Sequence, residues 1–356
     1  MGNQPGEVRS PAPKPALPGW PRTESPFHPG ERAVQERLGV RERVERIGRR
    51  VIRDFMPDQH RELFEQLPFL LVGSLDEEGR PWASILTGAP GFIRSPDPRR
   101  LRIDAMPVED DPLGRSLVPG APVALLGIQL ETRRRNRMNG TVTRLDKRGF
   151  EVRVGQSFGN CPQYIQARTP YFIERPGHNR EVRARALGPE LPDEVRELVR
   201  GADTFFIATA APGAREGDPV RGVDISHRGG RPGFVRVTIE EGRTVLTAPD
   251  FRGNAHFNTL GNLELEPRAG LLFVDFDSGS VLALTGEATV EWDGPLVRAF
   301  AGAERLLRFR VTDGLWFEAA LPLRWSAPQP ARQLEATGTW NEAERAIAPG
   351  DGTSLE

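Results

Sequence analysis

From Glu31 onward the apolar residues Val34, Leu38, Val44, Ile47, Val51, Ile52 and Phe55 recur at helical spacing, with arginine and glutamate between them. A stripe of this kind marks an amphipathic helix, and it predicts one long helix within residues 28–57, packed across a domain. Further on, the helical period gives way to short apolar runs separated by Gly, Pro, Asp and Asn, the pattern of antiparallel strands. Helical stretches are too few to supply the crossovers of a parallel sheet. Residues 1–27 carry seven prolines and little apolar content, so they read as a disordered tail. Residues 331–356 read as a polar C-terminal tail.

Between these ends the pattern repeats. A helix from Asp58 leads into the buried-strand run Pro68-Phe-Leu-Leu-Val-Gly-Ser74, and a helix from Pro192 leads into Thr204-Phe-Phe-Ile-Ala-Thr-Ala210. Ser84 and Ser226 each stand six residues before a proline that opens Pro-Gly-Phe, at 90–92 and 232–234. Leu126 to Gly140 and Leu272 to Gly286 are both intervals of 14 residues, and a strand-like run follows each glycine. Matched anchors in one order predict two related, mainly β units with flanking helices, over 58–185 and 186–330. Two unrelated β domains with similar turns are the plainer alternative.

Composition narrows the chemistry. Basic and acidic residues nearly cancel at 48 and 49, so there is no bulk attraction to nucleic acid or to an anionic membrane. Any anion site must be local. Only Lys14 and Lys147 are lysines, in a Pro-rich tail and a turn-like Asp-Lys-Arg-Gly, which leaves phosphate binding to arginine forks and backbone amides. The single cysteine, Cys161, permits neither an intrachain disulfide nor a Cys-based metal cluster, which fits a reducing cytoplasm. No signal core or membrane-length apolar run occurs. Rossmann, P-loop, clustered-histidine and Gly-x-Ser-x-Gly motifs are also missing.

The second unit carries the most informative run: Gly222-Val-Asp-Ile-Ser-His-Arg-Gly-Gly-Arg-Pro-Gly-Phe-Val235, then Thr244-Val-Leu-Thr-Ala-Pro-Asp-Phe-Arg-Gly-Asn254. It continues with His256-Phe-Asn-Thr-Leu-Gly-Asn262, Pro267-Arg-Ala-Gly-Leu-Leu-Phe273 and Leu284-Thr-Gly-Glu-Ala288. The first unit adds Thr132-Arg-Arg-Arg-Asn-Arg-Met-Asn-Gly140 and Gln156-Ser-Phe-Gly-Asn-Cys-Pro-Gln-Tyr-Ile-Gln166. Together these phrases resemble the pyridoxamine 5'-phosphate oxidase-like FMN-binding split barrels, and most of all the branch of predicted flavin-nucleotide-binding proteins. The resemblance spans roughly residues 58–325. It implies two tandem split β-barrels that imitate within one chain the family's dimer, with FMN at the seam.

Site residues follow from the same resemblance. Arg252-Gly253-Asn254, where a turn meets a helix starting near Asn254, would hold the phosphate, although Asn254 stands where a second basic residue is common. A guanidinium fork, close backbone approach at Gly253 and a helix N-terminus suit a phosphate physically; a capped surface turn is the bland alternative. The strand Asp224–Arg228 would lie along the flavin ring, with Ser226 and Arg228 in contact. His227 is either a proton donor to reduced flavin or an ordinary strand histidine. Thr247 would touch the ribityl chain or the pyrimidine end. Arg133, Arg135 and Arg137 share one face of a strand, where they would stabilise an anionic flavin or substrate, or else cap a hairpin and pair with acidic neighbours. Asn160 and Tyr164 would shape the pocket.

Two functions follow. One is an FMN-dependent oxidoreductase acting on a small molecule, with no general base named by the sequence. The other is a non-catalytic carrier or sensor of flavin, haem or a deazaflavin. Neither nucleic acid nor membrane is expected as a partner, and a homodimer is compatible with the resemblance.

Overall fold

The computed structural model of the chain describes residues 17–174 and 182–348. Lys14 and most of the Pro-rich segment therefore lie outside the described residues. Two short helices come first, α1 (Pro29–Arg37) and α2 (Arg41–Val51). The single long helix expected over 28–57 is thus broken, because Gly39 takes a left-handed φ of 65° between the two. Trp20 and Phe27 are buried against Val44, Ile52 and Phe158, so the end of the Pro-rich stretch packs as structure.

The first unit runs α3 (Asp58–Gln66), β1 (Phe69–Leu75), β2 (Pro81–Thr87), β3 (Ile93–Asp97), β4 (Arg100–Ile103), α4 (Leu113–Ser116), β5 (Pro122–Gln129), β6 (Arg134–Asp146) and β7 (Gly149–Gly159). Two three-residue strands follow, β8 (Pro170–Phe172) and β9 (Arg185–Leu187). The second unit runs α5 (Asp193–Gly201), β10 (Thr204–Ala210), β11 (Val223–Gly229), β12 (Arg236–Glu240), β13 (Arg243–Phe251), α6 (Asn258–Leu265), β14 (Arg268–Val274), β15 (Val281–Glu291), α7 (Pro295–Ala299) and β16 (Ala303–Phe317). The chain then forms β17 (Leu323–Trp325), which pairs with β8, and α8 (Trp340–Ile347). In α8 Thr339 and Glu342 form a capping box and Trp340 is buried. The polar C-terminal tail expected from 331 is therefore corrected to ordered structure as far as residue 348.

Both large sheets are antiparallel and open, and they share one strand order. The first reads β2-β1-β5-β6-β7-β4-β3 and the second β11-β10-β14-β15-β16-β13-β12. Register agrees in detail. Ser84 stands opposite Val72 as Ser226 stands opposite Ile207. Gly140 and Gly286 each sit at a break in strand register, opposite Val123 and Ala269. A side chain at either glycine would meet a backbone carbonyl: an added Cβ would fall 2.0 Å from Arg153 O and 2.1 Å from Arg310 O. A bulge at this place needs glycine in both sheets.

Each sheet wraps its own apolar core, centred on Phe64, Leu101, Met138 and Phe150 in the first unit and on Phe205, Phe234, Phe273 and Phe309 in the second. A third core fills the seam between them, with Trp82, Ile85 and Leu126 against Phe206, Ile225 and Leu272. The centre of the seam is thus solid side chain, and room for a ligand is confined to its flanks. Among the described residues no helix is long and apolar enough to cross a membrane.

Candidate functional site

The cleft of interest lies on one flank of the seam, where the edge strand β11 faces β6 of the other sheet. Alternation along β11 sorts its side chains. Val223 and Ile225 enter the seam core, and His227 lies edge-on to Phe206 at 5.7 Å between ring centres. Asp224, Ser226 and Arg228 occupy the other face. From β6, Arg137 reaches across: Nη1 donates to Asp224 Oδ1 at 2.8 Å and to Asn258 Oδ1 at 2.9 Å, and Nη2 donates to Ser226 Oγ. Asn139 on the same strand also donates to Asp224, at 2.7 Å.

Arg135 is placed differently. Its guanidinium donates to two backbone carbonyls, Cys161 O at 2.7 Å and His227 O at 3.4 Å, and meets no carboxylate among the described residues. Burial, followed by the nearby charges of Arg228 and Arg137, pushes its pKa down to about 9. Arg228 has a counter-ion, with Nε 3.2 Å from Asp250 Oδ1, but Asp250 is shared with the buried Arg305 at 3.6 Å. Among the residues that line the cleft, three guanidinium groups, Arg135, Arg137 and Arg228, face two carboxylates, Asp250 and Glu304. Burying like charges together is unfavourable, and an anion placed among them relieves both costs.

Helix α6 adds to the positive field. Its first residues, Asn258, Thr259 and Leu260, line the cleft, and its first backbone bond is Gly261 N to Phe257 O. The leading amides of a helix have no partner within it and attract anions. Phe257 enters the helix at a left-handed φ of 61° and Ala255 sits at 60°, so the approach from Asn254 is a strained turn. Helix α1 backs α6 closely, since a Cβ on Gly30 would lie 2.0 Å from Gly261 O. Glu31 on α1 accepts from the Asn258 side chain and from His28 N. Burial, then the neighbouring Asp224, holds the Glu31 carboxyl well above the usual carboxylate range.

Eight of the residues singled out in the sequence meet in this cleft: Arg135, Arg137, Asn160, Ser226, His227, Arg228, Gly253 and Asn254. Arg252 lines the two adjoining depressions instead. Thr247 lies in mid-sheet opposite Arg236 and Arg308 and does not line the cleft. Arg133 precedes β6 in a turn, with φ 56°, and donates to Ile165 O and Gln329 O. The expected row of three arginines is therefore two. Helix α6 begins at Asn258, four residues later than expected. His227 is neutral, its pKa driven well below the usual value by burial and then by the Arg135 charge. Asn160 lines the cleft, and Tyr164 stacks on Phe251 beside it at 5.0 Å. Asp250, Asn258, Thr259 and Glu31 were not anticipated; Asp250, Asn258 and Thr259 lay within quoted phrases, but nothing in the pattern marked Glu31.

The cleft leaves about 80 Å³ of room. At roughly 10–15 Å³ per water, that suits a phosphate-sized group. A second depression bordered by Cys161, Gln163, Tyr164 and Pro249 adjoins it and shares Arg135, Arg228 and Gly253.

The equivalent flank of the other unit is built otherwise. Ala283 stands opposite Leu272 where Arg137 stands opposite Leu126, and Val281 takes the place of Arg135. Ser84, the counterpart of Ser226, donates to Asp111 Oδ1 at 2.6 Å, and burial pushes the Asp111 carboxyl up to about 6. The two β6 arginines of the cleft thus have no counterpart on β15.

Comparison with protein-family profiles and with curated proteins found no match. Among solved structures, HupZ of Group A Streptococcus aligns over 34% of this chain and 90% of its own, at 12% identity and a TM-score of 0.26. HutZ of Vibrio cholerae, described as a heme storage protein, aligns over 36% of this chain and 95% of its own, at 14% identity and a TM-score of 0.23. A Clostridium acetobutylicum protein related to general stress protein 26 of B. subtilis, described as of the pyridoxinephosphate oxidase family, aligns over 37% and 91%, at 13% identity and a TM-score of 0.24.

Proposed function

We propose that this chain binds FMN on one flank of its seam and uses it as an oxidoreductase. The phosphate would rest on Arg135, Arg137 and Arg228, on the Ser226 and Thr259 hydroxyls and on the leading amides of α6. The observation that carries this reading is Arg135: a largely enclosed guanidinium with two carbonyl partners, no carboxylate and two neighbouring cations. A phosphate monoester, with two negative charges spread over three terminal oxygens, is the natural complement of such a fork. The ring would extend along the edge of β11 toward Tyr164 and Phe251, past the phosphate-sized room already open. Bound FMN supplies hydride or single-electron transfer, while the chain orients it and screens its charge. The identical strand order and the paired bulge glycines support descent of the two units from one ancestral split barrel, so that the seam takes the place of a dimer interface.

The test is the visible spectrum of the purified protein, followed by titration of the flavin-free protein with FMN and with riboflavin, which lacks the phosphate. FMN should bind at least tenfold more tightly. Equal binding of the two, or of neither, defeats the proposal. A yellow protein that transfers no electrons between nicotinamide cofactors and acceptors would place it among flavin carriers.

A further inference from the structure

Across the 252–257 turn from the cleft lies an open groove of about 520 Å³. One wall is apolar and belongs to the end of α1 and to α2: Leu38, Val40, Val44 and Ile47. Leu38 and Ile47 are 38% and 45% exposed, so this apolar wall is open to solvent. The other wall is the turn itself with Phe257, Glu304 and Arg305.

The charges around this groove are lopsided. Arg43 on α2 and Arg252 on the turn flank it, and among the described residues neither has a hydrogen-bonding or ionic partner. Behind them Arg305 is 2% exposed, stacked between Phe257 and Trp292, with no partner for its Nη1. The only carboxylate in the lining is Glu304, which Arg305 already holds. Two guanidinium groups without a partner, Arg43 and Arg252, beside a strip of exposed aliphatic side chains match a molecule with an apolar body and one anionic head. An uncharged apolar ligand would leave the arginines unused, and a simple inorganic anion would leave the aliphatic wall wet.

We propose that the groove between α2 and the 252–257 turn is a binding site for a small apolar carboxylate, its tail on Leu38, Val40 and Ile47 and its head between Arg43 and Arg252. That this ligand is the substrate of the bound flavin rests on the function proposed above; that the groove binds it does not. The turn is shared by both sites, so a ligand in the groove lies against the backbone that borders the cleft.

The experiment is titration of the full chain, free of flavin, with octanoate, with octylammonium and with 1-octanol, followed by calorimetry and by protein NMR. Octanoate should bind and shift the resonances of Val40, Ile47 and the 252–255 turn; octylammonium should not bind, and octanol should bind at least tenfold more weakly. The double variant Arg43→Ala/Arg252→Ala should weaken octanoate at least tenfold, and Ile47→Glu should do the same from the opposite wall. All of these residues are exposed or at the surface, so folding is preserved, and inorganic phosphate binding at the cleft serves as the control that should not change. Octanol binding as tightly as octanoate, or unchanged octanoate binding in the double variant, overturns the proposal. Failure of FMN to bind leaves it standing.

Discussion

Arg137 and Asp224 face each other at 2.8 Å, one from each sheet, with side chains 3% and 9% exposed. They join the two units by charge at the edge of an otherwise apolar seam. Removing one partner leaves the other buried and uncompensated, which costs about 3–5 kcal/mol. Arg137→Ala should therefore lose that much stability in urea denaturation, and the double variant Arg137→Met/Asp224→Leu should recover most of it.

Arg135 offers a gentler probe of the ligand. Its partners are two carbonyls, so Arg135→Ala leaves no buried carboxylate behind. A hydrogen bond from a charged group contributes about 1.5–3 kcal/mol, so FMN should bind roughly ten- to a hundredfold more weakly while riboflavin is little affected. Arg252→Ala should weaken FMN less than Arg135→Ala does and should weaken riboflavin equally, since Arg252 lines the depression toward Tyr164 and Phe251 and not the phosphate cleft. Parallel titrations of the two variants decide between the arginines.

Binding should saturate at one FMN per chain. The opposite flank has Val281 and Ala283 in place of the arginines and a carboxyl beside Ser84. A measured stoichiometry of two would contradict this assignment of roles.

Much of this arrangement was legible in the sequence. The helices before β1 and β10, the Pro-Gly-Phe turns and the bulge glycines all announced themselves by spacing, because each answers to a local backbone demand. Eight of the twelve residues singled out share one cleft, and for Arg135, Arg137, Ser226 and Arg228 the reason is that alternation along a strand fixes the face. Arg133 escaped because a left-handed turn residue takes it off the strand, and periodicity gives no sign of where β6 begins. Gly39 ended the first helix early for a comparable reason. Glu31 was invisible because its burial depends on α1 meeting α6, a contact 227 residues apart in the case of Asn258. The groove beside α2 was missed too, since a helix stripe says which side chains are apolar but not which of them stay uncovered.

Acid should weaken the fold. Burial lowers the pKa values of His28, His60 and His256 to about 4 from a usual 6.5. Between those two values the unfolded chain binds more protons than the folded one, so stability is intact above pH 6.5 and is lost as pH falls toward 4. Asp111, raised to about 6, acts in the opposite sense and offsets part of the loss. Each histidine contributes at most about 3 kcal/mol. His60→Gln, where the ring bonds to Ser157 Oγ and feels the charges of Arg53 and Arg134, should flatten the stability profile between pH 6.5 and 4 in urea titrations.

Gly140→Ala and Gly286→Ala should each be destabilising, by about 2–3 kcal/mol, because both methyl groups would strike a carbonyl. Similar losses in thermal unfolding would tie the two bulges to one architectural rule; a neutral effect at either would separate them.

Carrying two sheets of one strand order on a single polypeptide has a genetic consequence. In an assembly of identical subunits, a codon change at a symmetric contact appears at every copy of that contact. Here arginine at 137 and alanine at 283 are separate codons. Selection can thus tune one rim for charge while the other drifts toward pure adhesion, and neither alteration has to be tolerated twice.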